Sequence, residues 1–282
     1  MYDRLLTTYA YNILGSYEDA KDVVQDAYLR FIQRKKTELE DEKAYLVRTV
    51  INLSINSKNR QKRERKSYPG EWLPEPVATE HADTLLNRKE ILSYSLMVLL
   101  EKLTAKQRAV FILKEAFNYD HKEIAEVLDI TEDNSRKLLN RAKEQLQVLE
   151  TITPSKQADA YIDKYLSVIQ NADLPQLEKM LHEEVMVISD GGGKVAAFRK
   201  PITGREAVAK LLEGIYKKFY SHIDIRKSFI NNQPALCYIE DGRLINCQVF
   251  SIQKNVLHNI YFIRNPDKLK ALEKDLLKTV TF

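Results

Sequence analysis

The chain has 282 residues, which favours two or three compact domains over one. Its apolar fraction of 44% is ordinary for a globular protein, and its longest apolar runs are too short for a membrane-spanning helix. Net charge is only +4, so bulk charge does not mark a nucleic-acid binder, but the distribution of charge along the chain is more telling.

The first 60 residues read as helical. Val23, Val24, Ala27, Tyr28 and Phe31 recur at helical spacing, which leaves Lys21, Asp22, Gln25, Asp26 and Arg30 for a polar side. Ser16 stands three residues before Asp19, where its hydroxyl can cap the first turn. The acidic stretch Glu38 to Glu42 reads as a loop or a helix start. A second helix is predicted from about Ala44 to about Arg60, with Tyr45, Leu46, Val50 and Leu53 toward a core. Its Arg48, Asn52, Asn56 and Lys58 can share one polar side. Lys58, Arg60, Lys62, Arg63, Arg65 and Lys66 then form a basic block with a single acid, Glu64, either a solvated stretch or a track for phosphates.

Tyr68-Pro69-Gly70 and Trp72-Leu73-Pro74-Glu75-Pro76 cannot continue a helix, because proline lacks the amide donor and clashes with the preceding turn. This linker carries the single tryptophan of the chain, so it is expected to dock on a domain surface rather than act as an exposed stiff spacer.

Helices resume from about Leu85. Leu99, Leu103, Val110, Leu113 and Phe117 make a scaffold face, and Ile124, Ala125, Leu128 and Ile130 suit the small core of a helix-turn-helix. Thr131 can cap the last helix, whose buried stripe is Leu138, Leu139, Ala142 and Leu146. Arg136, Lys137, Asn140 and Arg141 then face solvent or DNA, where they offer donors for phosphates and base edges. Glu132 and Asp133 at the helix start suit its dipole. A generic helical hairpin is the plainer alternative.

Thr153-Pro154 marks the next boundary. Helices at about Lys156 to Asn171 and Leu174 to His182 precede a strand at Glu184 to Ser189 and the turn Asp190-Gly191-Gly192-Gly193. A helix at about Arg205 to Phe219 leads to strands at His222 to Ile230, Ala235 to Glu240, Arg243 to Ile252 and Val256 to Arg264. Helices followed by hairpin-connected strands indicate an α+β domain with an antiparallel sheet. A last amphipathic segment begins at Asn265-Pro266-Asp267-Lys268-Leu269 and continues through Leu272, Leu276 and Val280. Asp190-Gly-Gly-Gly-Lys194 is not a phosphate loop, since Val195 stands where a serine or threonine is required.

Cys237 and Cys247 are the only cysteines, so there is no disulfide framework. A two-residue turn at Asp241-Gly242 would set Cys237 opposite Asn246 and send the two thiols to opposite sheet faces. No metal-ligand spacing is present. With no signal peptide at Asp3 and Arg4, a reducing cytoplasm is the expected compartment.

The run Ala10 to Ser16, followed by Asp19-Ala20-Lys21-Asp22-Val23-Val24-Gln25-Asp26-Ala27-Tyr28-Leu29-Arg30-Phe31, resembles the core-binding helix of bacterial extracytoplasmic-function (ECF) RNA polymerase sigma factors. The likeness extends over most of the chain. Residues 1–67 resemble sigma region 2, 85–150 resemble region 4, and 155–264 resemble a SnoaL-like cone, with a linker at 68–84 and a regulatory tail at 265–282. Three short motifs make it similar to a smaller group of that family: Trp72 to Pro76, Asp190 to Gly193, and Asn265 to Leu269. The resemblance implies two all-α sigma domains, the second a helix-turn-helix, followed by an α+β cone.

It also implies roles. Asp19, Asp22, Gln25, Asp26, Tyr28 and Arg30 would meet the polymerase core, chiefly its β′ subunit, with β as a further partner. Tyr45, Arg48, Asn52, Asn56, Lys58 and Arg60 would melt and read the −10 element, for which aromatic and amide groups beside a basic track are suited. Ser135, Arg136, Lys137, Asn140 and Arg141 would read the −35 element. The three motifs would form the regulatory contacts. Binding, not catalysis, is the implied chemistry, with no cofactor and no metal.

Two other classes compete. One is a ligand-sensing helix-turn-helix regulator, which has no use for a polymerase-binding helix. The other is a SnoaL-type isomerase or cyclase, with Tyr216, Tyr220, His222 and Tyr261 lining a pocket and His182 or Asp190 as base. A small-molecule occupant of the cone is compatible with the sigma-factor class as well.

Overall fold

The computed structural model describes residues 2–33, 41–80, 86, 87, 90–146 and 158–278. The expected features at Glu38, Leu85, Thr153-Pro154, Lys156 and Val280 lie outside the described residues. The chain divides into two compact units. The first comprises Met1–Lys66, Ala82–Leu92 and Leu96–Glu150, and the second Ser67–His81, Ser93–Ser95 and Thr151–Phe282.

The first unit is helical. Helix α1 (Asp3–Leu14) buries one continuous stretch from Leu6 to Leu14 and stops at Gly15, whose positive φ of 75° lets its N–H reach the Tyr11 carbonyl at 2.7 Å. Helix α2 (Tyr17–Gln33) buries only Ala20, Val23, Val24 and Ala27, so its other face is left to solvent. Helix α3 (Glu42–Glu64) begins at Asp41, whose carboxylate caps the Ala44 amide at 3.0 Å. It runs one turn past the expected end at Arg60, because nothing before Pro69 forbids helix.

Helices α5 (Ala105–Glu115) and α6 (His121–Leu128) each start with a capping box, Thr104 with Gln107 and Asp120 with Glu123. Helix α6 ends at Asp129 in a left-handed conformation. Helix α7 (Glu132–Leu146) follows a tight turn, with the Thr131 hydroxyl accepting from the Asn134 amide at 3.2 Å. Ile124, Ala125, Leu128, Leu139, Ala142 and Leu146 fill the helix-turn-helix core. Phe117 stacks on Tyr9 with ring centroids 4.0 Å apart, which ties α1 to the loop before α6. A short helix α4 (Tyr94–Leu99) and a single turn at Leu100–Lys102 precede α5.

The second unit holds helices α8 (Ala158–Gln170), α9 (Leu174–Met180), α10 (Arg205–Ile215) and α11 (Pro266–Lys278) and one six-stranded sheet. Its strands are β1 (Leu181–Asp190), β2 (Ile202–Thr203), β3 (Asp224–Ile230), β4 (Gln233–Glu240), β5 (Arg243–Gln253) and β6 (Val256–Ile263), in the order β2-β1-β6-β5-β4-β3. Three two-residue turns join β3 to β6. Asn231-Asn232, Asp241-Gly242 and Lys254-Asn255 all have positive φ at both positions, the geometry whose twist matches paired strands. One sheet face packs Val187, Leu236, Tyr238, Phe250 and Phe262 against Tyr165, Leu177, Val208 and Leu212 of the helices.

Two expectations are corrected. The sheet is mixed rather than purely antiparallel, because β1 lies parallel to β6. Parallel neighbours require a crossover, and here the intervening chain, including α10 and the hairpins, supplies it. The cysteines are not on opposite faces. A register shift after Tyr238 leaves Ile245 as an extra residue, so Cys237 pairs with Cys247 and their sulfurs are 3.9 Å apart. Burial raises the Cys247 thiol pKa, which keeps it protonated.

Candidate functional site

On α2 the residues expected to meet a partner form an open ridge. Asp22, Gln25, Asp26 and Arg30 are exposed, while Asp19 and Tyr28 are half-buried. Asp19 accepts a hydrogen bond from Gln61 Nε2 at 2.5 Å, which ties it to α3. Sequence reasoning missed two apolar members of this surface, Leu29 (51% exposed) and Ile32 (73% exposed). Gln25, Leu29 and Ile32 follow i, i+4, i+7 spacing, so they share a stripe beside the acidic groups. The signal was present in the sequence, since neither residue falls on the stripe of Val23, Val24 and Ala27.

On α3, Arg48, Asn56 and Arg60 are exposed, and Tyr45 is half-buried with its ring 6.1 Å from that of Phe31. Asn52 donates through Nδ2 to the Val127 carbonyl of α6 at 2.9 Å. Lys58 departs from the expectation of an open DNA-binding residue, because it is 6% exposed. Its ammonium donates to the Leu14 carbonyl at 2.8 Å and to both oxygens of Glu101 at 2.7 and 2.9 Å. Glu101 also accepts from Arg65 Nη1 at 2.7 Å and from Arg108 Nη1. Burial alone would raise the Glu101 pKa, but Lys58, Arg108 and Arg65 together bring it down to about 2. Burial lowers the Lys58 pKa, and the adjacent Arg108 adds to this against the pull of Glu101.

On α7, Arg136, Lys137, Asn140 and Arg141 are exposed. Arg136 pairs with Glu132 at 2.8 Å and Lys137 with Asp133 at 3.0 Å, each one turn back along the helix. Ser135 is a correction. It is fully buried, with Oγ 2.9 Å from His121 Nδ1 on α6, so it belongs to the helix-turn-helix interior and not to a DNA face. Ser135, Leu139, Ala142 and Leu146 make a single helical stripe, and a small residue is needed where the two helices meet.

Within the second unit, the linker is docked. The Asp190 carboxylate is 1% exposed and lies at the centre of this contact. It accepts from the Tyr68 hydroxyl at 2.5 Å, the Leu73 amide at 2.9 Å and the Gly192 amide at 2.9 Å, and it pairs with Lys268 at 2.5 Å. The Lys268 ammonium also donates to the Leu73 carbonyl and sits 4.0 Å above the Trp72 ring. The glycine turn permits this closeness. A Cβ on Gly192 would fall 2.3 Å from Asn265 Nδ2, and one on Gly193 would fall 2.6 Å from Pro69 Cγ. Asn265 in turn donates to the Tyr68 hydroxyl at 3.1 Å.

Leu73, Pro74, Glu75 and Pro76 are buried, and Tyr94 donates its hydroxyl to the Pro74 carbonyl at 2.7 Å. Asp267 pairs with Lys194 beyond the turn, and Leu269 is buried. Further along, Ala78 bridges to Ile230, with the Thr79 amide on the Phe229 carbonyl at 2.8 Å and the Asn231 amide on the Val77 carbonyl at 2.9 Å. The linker therefore lengthens the sheet at the edge of β3.

The residues weighed for a catalytic pocket do not converge. Tyr216 and Tyr220 pack with the helix-covered face of the sheet, whereas Tyr261 pairs beside Val249 on the opposite face, against the Tyr94 ring. His182 stacks on His258, and Asp190 is taken by the linker.

Comparison with known proteins places two segments of the chain in families. Residues 1–64 match the family model "Sigma-70 region 2", and residues 93–146 match "Sigma-70, region 4". The chain is 28% identical over 221 residues to the ECF RNA polymerase sigma factor SigJ of Mycobacterium tuberculosis, covering 76% of this chain and 70% of the relative. It is 21% identical over 280 residues to the probable ECF RNA polymerase sigma factor SigI of the same species, covering 96% and 93%. The crystal structure of M. tuberculosis SigJ has the same fold, with a TM-score of 0.77, 23% identity and coverage of 94% of this chain and 95% of that one.

Proposed function

We infer that the chain works as its two sigma-70 regions indicate: it is an RNA polymerase sigma factor of the extracytoplasmic-function type, whose partners are core polymerase and promoter DNA. The ridge on α2 is the contact for the core, on its β′ subunit. Leu29 and Ile32 supply the apolar anchor, and Asp22, Gln25 and Asp26 supply orientation and association rate. Helix α3 opens and reads the −10 element through Tyr45, Arg48, Asn52, Asn56 and Arg60. Helix α7 reads the −35 element through Arg136, Lys137, Asn140 and Arg141. A one-component regulator would need no such ridge, and its exposure is the observation that carries the assignment. The cytoplasm, where polymerase works, is the matching compartment.

Run-off transcription with purified core polymerase across a genomic promoter library tests this directly. Asp26→Lys should lower core affinity by more than about tenfold without changing the thermal melt. Full transcription by that variant would count against the ridge. Replacing Arg136, Lys137 and Arg141 together with alanine should weaken −35 DNA binding and lower its salt slope by roughly 3. A titration with an unaltered slope would remove these three from the DNA face.

The third domain regulates through the linker. The segment that joins region 2 to region 4 in the chain is held by Asp190, Lys268 and Asn265. Holding or releasing it changes the tether between the two DNA readers, and polymerase or a signal shifts the population between those states. A small-molecule signal in this domain is a narrower proposal. It is favoured by Asn246, which is fully buried with Oδ1 unpartnered while its Nδ2 donates to the Tyr220 hydroxyl at 3.0 Å.

A further inference from the structure

We propose that Lys58 and Arg65 are a phosphate-binding pair for promoter DNA, and that Glu101 is the built-in occupant of that pair in the state of the chain seen here. The proposal rests on the assignment of α3 as a DNA-facing helix. Lys58 lies on α3 and Arg65 caps its C-terminal end, seven residues on, so two helical turns place both on one side. They meet a single carboxylate: Lys58 Nζ is 2.7 and 2.9 Å from the two Glu101 oxygens, and Arg65 Nη1 is 2.7 Å from one of them. A backbone phosphate offers the same acceptors, two charged oxygens taking charge-assisted hydrogen bonds from ammonium and guanidinium groups.

The balance of charge favours exchange. Three cations surround one carboxylate, because Arg108 of α5 also holds Glu101. If α3 moves away, Glu101 keeps Arg108 as its partner, while Lys58 and Arg65 leave together and exchange that carboxylate for another anion, Lys58 still donating to the Leu14 carbonyl and Arg65 to Gln61. Exposed Arg60, Lys62, Arg63 and Lys66 surround that site in sequence and raise the local concentration of phosphate. A second tie acts in the same sense. Asn52, on α3, is held by the Val127 carbonyl of α6. Two of the residues expected at the −10 element are thus engaged by the part of the chain that belongs to region 4. Glu101 therefore acts as an internal phosphate mimic, and DNA must displace it.

The test titrates a short fluorescent single-stranded oligonucleotide with the full chain over a series of salt concentrations. Glu101→Gln should bind roughly tenfold tighter than the wild type, because the closed state no longer reduces the competent fraction. Arg65→Ala should lower the salt slope by about 0.7, one single-strand phosphate contact, and should cancel part of the gain in the double variant. A folded Glu101→Gln chain with wild-type affinity overturns the proposal. So does an Arg65→Ala chain with an unchanged slope, which decides the matter even if the glutamine variant fails to fold, and so does an oligonucleotide bound by none of the chains. Core polymerase binding is measured separately: no core binding with the oligonucleotide pattern intact would sink the sigma-factor assignment and leave the phosphate pair standing.

Discussion

Asp190→Ala is expected to undock the linker and destabilise the C-terminal unit by about 3–5 kcal/mol, the usual cost of removing one partner from a buried ion pair. The variant leaves the Lys268 ammonium and the Leu73 amide without the carboxylate that both now use. In a domain of this size the loss should appear as a melting temperature lower by roughly 10 °C. Trp72, the single tryptophan, reports the same event without a label. It now lies under Lys268, and its emission should shift to the red as the ring enters water. Removing both charges, as Asp190→Leu with Lys268→Met, should recover part of the stability, since no charge then remains buried alone while the Tyr68 hydroxyl and the Leu73 and Gly192 amides still lose their acceptor. An Asp190→Ala protein with unmoved emission and an unchanged melt would show that the carboxylate does not hold the linker.

Arg108→Ala should be the most damaging single change in the first unit. The side chain is fully buried. It donates through Nε to the Asn12 carbonyl at 2.9 Å, pairs with Glu101, and lies 3.7 Å from the Met97 sulfur. The expected loss is about 3–5 kcal/mol, read by denaturant titration, and it combines a cavity with an under-compensated Glu101. Arg108→Met keeps most of the volume, so it separates the two terms. Acid acts on the same cluster. The Glu101 carboxyl sits near 2 when folded, below its ordinary value, so its stabilising contribution is complete above an ordinary carboxylate pKa of about 4.3 and fades as pH falls toward 2. An acid titration of the wild type should show this loss, and Glu101→Gln should lack it.

Much of this architecture is legible in the residues themselves. Ser16 and Thr131 announce helix starts, and Asp241-Gly242 announces a hairpin, because these signals are local. Trp72 among prolines correctly points to docking, because a large ring in a tether has little other use. The sites that resisted sequence reasoning depend on contacts far apart in the chain. Lys58 looks like one more solvated lysine until Glu101 arrives from 43 residues away. Ser135 looks like a polar surface residue until α6 closes over it. The cysteine register turned on one inserted residue, Ile245, which no hydrophobic pattern announces, because β5 is buried on both faces here.

The short rung at Ala78 has a further consequence. While Val77 and Thr79 are hydrogen-bonded along the open side of β3, that border of the sheet is closed to other molecules along those residues. Letting the segment go bares the amides and carbonyls around Phe229 and Asn231, which are a template for any extended peptide, including the same segment of a neighbouring copy. The loosened form should therefore be sticky, and it should persist only where polymerase takes it up faster than it meets its own kind.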